Sequence, residues 1–346
     1  MNYILDFNGF NLIFNGIDCV HEPYTMPAYT LRLKYKPGTS PSNAHGTKTY
    51  IGNDIWDVTY ESGNWRNMFY DDINLLEVIA GNTDDISNMQ NLFRGCESLE
   101  TVAIFNTSSV TNISGIFYNC SSLTTIPLLD THNAIDASYM FCGCTGISTI
   151  PLIDLSNATN IDGLFYGCSN LTSIPQLNTS KATSAYCMFA NCTALTTIPL
   201  IDTSKLVDMS FMFISCSALT SVPLLDTSSA ETMASMFFSC YSLLTYPEFD
   251  TSNVLTMNSM FANCIGLTDI TLLNTDNVTD VEDMFNHCEN VSSNILAFYQ
   301  QMSTQASPPT NHDRAFLNCG VNTPSGVAEL AQIPISWGGT DQGSLN

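Results

Sequence analysis

Residues 188–206 read MFANCTALTTIPLIDTSKL, and Cys192 within them admits four readings: nucleophile, metal ligand, half of a disulfide, or a small apolar side chain. The rest of the chain decides, because it repeats the phrase. Cys96, Cys120, Cys144, Cys168, Cys192, Cys216, Cys240, Cys264 and Cys288 are spaced by 24 residues without a slip. Three residues before each stands Phe93, Phe117, Phe141, Phe165, Phe189, Phe213, Phe237, Phe261 or Phe285. Self-similarity at one period governs the fold class. The register extends back to a first unit containing Phe69, Leu75, Val78 and Asn82-Thr83, where Asp72 stands at the cysteine position. It fails forward, because Phe316 and Cys319 keep their mutual spacing but Cys319 falls 31 residues after Cys288.

Within the unit TSSVTNISGIFYNCSSL, Val110, Ile113, Ile116, Phe117 and Cys120 recur in steps of three and four. Such steps predict one face of a short helix, with Thr107 or Ser108 as its N-cap. Leu123, Ile126 and Pro127 follow as a brief extended segment. Proline recurs at 127, 151, 175, 199, 223 and 247 and cannot donate to a sheet ladder, which confines strand pairing to the three or four residues before it. One such unit cannot bury its apolar face, whereas stacked copies make a continuous core. Strands stack about 4.8 Å apart and helices roughly 8 to 10 Å, so the strands are expected on the concave side. The expected fold class is an α/β, right-handed leucine-rich-repeat-type solenoid of nine to ten 24-residue units over residues 67–298. Residues 1–66, with TLRLKY, KPGTSP and IWDVTY, predict a small β-rich N-terminal cap or anchoring domain. Residues 299–346, with SPP, NTPSG and SWGGTDQGS, predict a loop-rich C-terminal cap whose last ten residues form a flexible tail.

The succession Phe-x-x-Cys, Leu-x-x-Ile-Pro, Asp-Thr-Ser, as in FANCTALTTIPLIDTS, resembles the BspA-like leucine-rich repeats of bacterial surface proteins. The phrasing DTSNV and MFANC between residues 250 and 264 is similar to the branch found in lipoproteins and in genes carried by phages of gut bacteria. The resemblance covers about 230 residues and implies a solenoid that binds rather than catalyses; it names no ligand.

Composition narrows the partners. The chain has 32 acids against 9 bases, a net charge of −23, and residues 67–298 hold only Arg94, Lys181 and Lys205 as bases. Nucleic acid, whose binding relies on Lys and Arg at phosphates, is excluded as an expected partner, and so are anionic membrane surfaces. No apolar run approaches 18 residues, so no membrane insertion is expected. The start MNYILDFNGFNLIFNGIDCV lacks the charged and apolar regions of a secretory signal.

Equivalent side chains in a stack point the same way, which places the cysteine ladder poorly for disulfides and well for packing as reduced thiols beside the Phe row. Cys19, Cys142, Cys187 and Cys319 lie outside it, and Cys-x-Cys occurs once, at Cys142 and Cys144, without the second pair a zinc site requires. Asn82, Asn106, Asp130, Asp154, Asn178, Asp202, Asp226, Asp250 and Asn274 share one register. A file of carboxylates could coordinate Ca²⁺, but Asn alternates freely with Asp, and both make the same Asx-turn to the backbone. Neighbouring carboxylates about 5 Å apart in water repel by only ~0.8 kcal/mol. No metal and no cofactor is expected. Asp276, Asp280, Glu282 and Asp283 lack EF-hand spacing and read as a solvated face. His21, His45, His132, His287 and His312 are scattered, so no catalytic residue is assigned and no enzyme is expected.

One row is a candidate binding surface. Phe105, Leu129, Ile153, Leu177, Ile201, Leu225, Phe249 and Leu273 are uniformly apolar and read as core. The residue before each is Ile104, Leu128, Leu152, Gln176, Leu200, Leu224, Glu248 or Leu272. Adjacent residues of an extended chain face opposite sides, so Leu128, Leu152, Leu200, Leu224 and Leu272 would lie exposed unless the proline kinks the chain and buries both rows. The function expected is a non-catalytic interaction protein on a phage virion, a fibre, decoration or adhesin subunit. It would dock to other virion proteins through a terminal domain, present its solenoid to a host-surface glycan or protein, and form a homo-oligomer by analogy with fibres. The alternatives are a bacterial cell-surface adhesin or lipoprotein, and a glycan-degrading enzyme using paired carboxylates.

Overall fold

A computed structural model describes residues 4–7, 10–13, 27, 29–41, 44–60 and 63–340. Cys19 and His21 lie outside the described residues. β1 (Ile4–Phe7) and β2 (Phe10–Ile13) form an antiparallel pair. The alternation in TLRLKY becomes β3 (Thr30–Tyr35), which buries Leu31, Leu33 and Tyr35. With β4 (Thr47–Gly52), β5 (Ile55–Thr59), β6 (Leu75–Asn82) and β7 (Thr101–Val102) it forms one sheet in the order β4-β5-β3-β6-β7. β6 pairs antiparallel with β3 and parallel with β7. The cap sheet therefore becomes the repeat stack without a break, and it crosses residue 66. The Tyr35 hydroxyl donates to the Asp72 carboxylate at 2.8 Å, at the place later units give to cysteine. Burial raises the Asp72 carboxyl above its usual range. It also raises the Tyr35 phenol, helped by the charge of Asp72.

Beyond β7 the expected helices do not form. Parallel bridges join Asn64, Asn88, Asn112, Asp136, Asn160, Ser184, Asp208, Thr232, Thr256, Asp280 and Asn311 in succession, which defines eleven stacked coils. In the coil of Phe189, alternate amides reach the next coil: Ala185 to Asp208 O at 3.1 Å, Cys187 to Ser210 O at 3.1 Å, Phe189 to Met212 O at 2.9 Å and Asn191 to Ile214 O at 2.8 Å. The amides between them turn inward: Met188 to Ala185 O, Ala190 to Cys187 O and Cys192 to Phe189 O, at 3.0 to 3.1 Å. Each coil thus mixes three-residue turns with a parallel ladder. Serving both requires two residues per coil in the left-handed region, here Cys187 at φ 57° and Asn191 at φ 60°. Elsewhere these positions hold mainly Asn, Gly and Ser, such as Asn67, Asn91, Gly95, Gly115, Asn119, Gly167 and Ser239, residues that reach this region at low cost or bond locally there. The apolar steps of three and four mark a buried face, as expected, but one made by turns. The helix-based argument for a concave strand side lapses with the helices.

The interior is a column of rings. From Phe69 through Phe285, successive phenylalanines stack with centroids 5.3 to 6.0 Å apart and planes within 15°. Each ladder cysteine donates its S–H to the carbonyl of the Phe 27 residues earlier, at 3.0 to 3.1 Å. That carbonyl already accepts a turn amide, so the thiol fills its second lone pair. Cys192 is a buried, hydrogen-bonded rung. The expected N-cap also changes: Thr107 is buried, and in most coils the equivalent threonine hydroxyl donates to the Asx carbonyl of the next coil, as Thr203 to Asp226 O and Thr227 to Asp250 O at 2.7 Å. Regular strand pairing beyond the cap is slight, with single amides such as Thr220 to Thr196 O at 3.1 Å linking the segments before the prolines.

The break in spacing after Cys288 is an insertion. α1 (Ile295–Thr304) occupies the extra length, after which the Phe316 ring returns to the column 5.9 Å from Phe285 and 9° from parallel. The closing segment is more helical than expected. α2 (Pro324–Leu330) starts on Thr323, whose side chain accepts from the Gly326 amide. Trp337, expected in the tail, is buried; its ring lies 4.1 Å from that of His312, and its carbonyl takes the Phe316 amide at 2.9 Å. Residues 341–346 lie outside the described residues.

Two outcomes follow. Removing residues 193–216 deletes one whole period and should leave a folded, slightly shorter stack by circular dichroism and gel filtration, whereas removing 193–215 shifts every later rung and should abolish cooperative unfolding. Burial pushes the thiols of Cys216 and Cys288 up to about 12 and that of Cys142 to about 11. Iodoacetamide at pH 8 should therefore modify none of the three in the native protein and all of them in denaturant, as read by mass spectrometry.

Candidate functional site

Alternation resumes directly after each proline. Leu128 points out, Leu129 in, Asp130 out and Thr131 in, and the coils repeat this pattern. The row from Phe105 to Leu273 is buried throughout. The row before it is not: Leu128 is 60% exposed, Leu152 62%, Leu200 56%, Leu224 62% and Leu272 40%. The competing expectation of two buried rows fails, because the proline interrupts donation to the ladder without turning the next residue inward. Stacking sets these leucines side by side into one apolar stripe, interrupted at Gln176 and Glu248.

A second exposed row runs two residues further on, from Asn82 to Asn274. In all nine positions the Asx side-chain oxygen accepts the amide two residues later, at 2.8 to 3.5 Å. This is the expected Asx turn, although it opens a turn coil and not a helix. The same hydrogen bonds favour the charged form. The Ser204 side chain and amide hold Asp202 below the usual carboxylate range, and Ser156 and Ser252 do so for Asp154 and Asp250. At Asp130 the His132 side chain is the main cause. Between the rows lies a groove of about 520 Å³ bounded by Leu128, Asp130, Leu152, Asp154, Gln176 and Asn178. A greasy stripe beside a file of anions can hold a ligand that is apolar on one edge and cationic or hydrogen-bonding on the other.

The acidic cluster near residue 280 has structural partners. Arg314 binds Glu282 at 3.1 Å and Asp283 at 2.7 Å, and Asp280 caps the Glu282 amide. Among the described residues, no group of three or more His, Cys, Asp or Glu side chains is arranged to hold a metal ion. No helix of the described residues is long and apolar enough to cross a membrane.

Parallel coils around a single phenylalanine column, with leucines on the outer surface, place the chain among repeat solenoids of the leucine-rich type. More narrowly, it belongs to the family described as "Mycoplasma protein of unknown function, DUF285", a BspA-type repeat family, whose model matches residues 43–152, 147–244 and 208–316. Among solved structures it is similar to a leucine-rich repeat protein from Eubacterium ventriosum, at 19% identity over 63% of this chain and 65% of that one, TM-score 0.41. A leucine-rich repeat protein from Bacteroides ovatus matches at 15% identity over 93% and 91%, TM-score 0.31. An internalin from Listeria monocytogenes matches at 16% identity over 68% of each chain, TM-score 0.28. The chain thus spans just under two thirds of the length of the Eubacterium protein. No functionally curated protein matches the sequence significantly.

The Asx row makes a signed prediction. A carboxyl lowered in the folded state contributes stability fully above its unfolded value, about 3.9, and that contribution is lost as pH falls through the lower folded value. Asp72 and Asp162 are raised chiefly by burial and act oppositely, so the informative comparison is between variants. Asp202→Asn keeps the Asx turn and should flatten part of the fall in melting temperature between pH 5 and pH 2, measured by calorimetry.

Proposed function

We propose that the protein is a non-catalytic binding protein that holds a partner polypeptide against the leucine stripe and its flanking Asx row. The supporting observation is the stripe itself: large apolar side chains held in register at 40 to 62% exposure, where nothing in the coil requires them. Leu129 and its equivalents fill the core, and the outer row lies outside it. An ordered exposed apolar row of this kind marks an interaction surface. The carboxylates beside it would select against acidic partners and steer basic ones.

Two settings supply such a role. One is a phage particle, with the chain as a fibre, decoration or adhesin subunit docked through a terminal domain to other virion proteins and assembled as a homo-oligomer. The other is a bacterial cell surface, in an adhesin or lipoprotein; the bacterial description of the matched family supports this setting equally well. Mass spectrometry of purified particles against envelope fractions from the source separates them.

The triple variant Leu128→Ser, Leu152→Ser, Leu200→Ser should melt within a degree or two of the parent, because these side chains leave the core intact. Its binding to host cells, measured by flow cytometry of labelled protein, should fall at least tenfold; unchanged binding would sink the proposed face.

A further inference from the structure

Half a coil away in sequence from the leucine stripe, the turn side of the early coils carries a different kind of surface. A groove of about 410 Å³ has Arg94, Tyr118 and Tyr139 in its walls, with Gln90, Asn91 and Ser138 supplying polar groups. No carboxylate lines it, in a chain with 32 acids. Arg94 is one of three bases between residues 67 and 298. Its guanidinium lies 4.0 Å from the Tyr118 ring centroid and 5.6 Å from that of Tyr70. Among the described residues it has no ion pair. Stacking on the rings uses the faces of the guanidinium and leaves its N–H edge free to donate.

Tyr139 is the second observation. It sits at φ 54°, in the left-handed region, at a coil position that holds small or short polar residues in most coils, among them Asn67, Asn91, Gly115, Gly163, Ser235 and Ser259, and a bulky one elsewhere only at Phe211 and Arg314. A bulky residue there is strained. Its ring also needs a seat cut into the next coil: a Cβ added at Gly163 would fall 2.3 Å from the ring. Despite both costs Tyr139 is 37% exposed, and its ring lies 6.4 Å from that of Tyr118. The Tyr118 and Tyr139 rings are tilted 51° to each other, so the groove is flanked by two aromatic planes and a cation's donor edge.

We propose that this groove binds a neutral saccharide. Pyranose C–H bonds carry slight positive charge and pack on the negative faces of aromatic rings. Sugar hydroxyls both donate and accept, which suits the amides of Gln90 and Asn91, the N–H edge of Arg94 and the Ser138 hydroxyl, which donates to Asp136 at 2.7 Å and keeps its lone pairs to accept. A basic peptide would find no carboxylate here, and a polyanion would approach against a net charge of −23. The site is separate from the leucine stripe and does not depend on what that stripe binds.

The test uses the full chain with chitotetraose, maltoheptaose and mannotriose as probes, followed by saturation-transfer NMR. At least one should bind saturably, with its signals mapping to the C–H face. Tyr139→Asn places a residue found at this position in two other coils, so the fold should survive, and it should weaken binding at least tenfold. Arg94→Gln should do the same. The leucine triple variant should bind the sugar like the parent. Absence of binding by all three probes overturns the proposal, and so does full binding retained in both Tyr139→Asn and Arg94→Gln, or binding lost in the leucine variant at unchanged melting temperature.

Discussion

Everything in this solenoid depends on how the backbone amides of each turn segment are shared. Half of them close three-residue turns within the coil and the alternate half reach the coil above. Neither set alone would give the structure: turns without the ladder would be a short helical segment, and a ladder without turns would be a flat strand. Their alternation is possible only with two left-handed residues per coil, which is why Asn, Gly and Ser crowd these positions. Once the division is made, the period is locked, because a one-residue slip would send a turn amide to the ladder and a ladder amide into the core.

The side chains then serve that backbone. Phenylalanine fills the coil centre and stacks on its equivalents, burying large apolar area at each step. Cysteine offers a small, weakly polar group that reaches the carbonyl of the preceding ring residue. Threonine is buried for a related reason, closing the distance from one Asx carbonyl to the next. Cysteine and threonine, which invite a chemical reading when seen alone, are here parts of one hydrogen-bonding scheme repeated coil after coil. Two surfaces stand outside this core: the outer leucine row, and the early turn face, where Arg94 is the single base at its register position and lies against Tyr118.

The two faces differ in how they arise. The leucine stripe is a product of repetition, since any exposed apolar choice at that position becomes a row when coils stack at a fixed spacing. The Arg94–Tyr118–Tyr139 groove is local to the early coils: Arg94 has no basic counterpart at its register position, and the Tyr139 ring sits where Gly163 leaves room for it. A surface made by repetition suits an extended partner that can be met at several coils; one made by exception suits a compact ligand.

The sequence by itself determined the period, the identity of the core column, the Asx turns and the cap strand at TLRLKY, because each is a local pattern whose spacing or alternation is read directly. It also showed that nine of the cysteines occupy one equivalent position in successive units. It did not show that the apolar steps of three belong to turns, since a helix face has the same spacing. The Gly, Asn and Ser at positions such as 95, 115, 119 and 239 were the available signal against a helix. Only the tertiary structure decided that the outer leucines face solvent, that Phe316 rejoins the column after the α1 insertion, and that Arg94 and Tyr139 share a groove. The physical reason is common to all three: each depends on contacts between successive coils, which the spacing of residues along one coil does not encode.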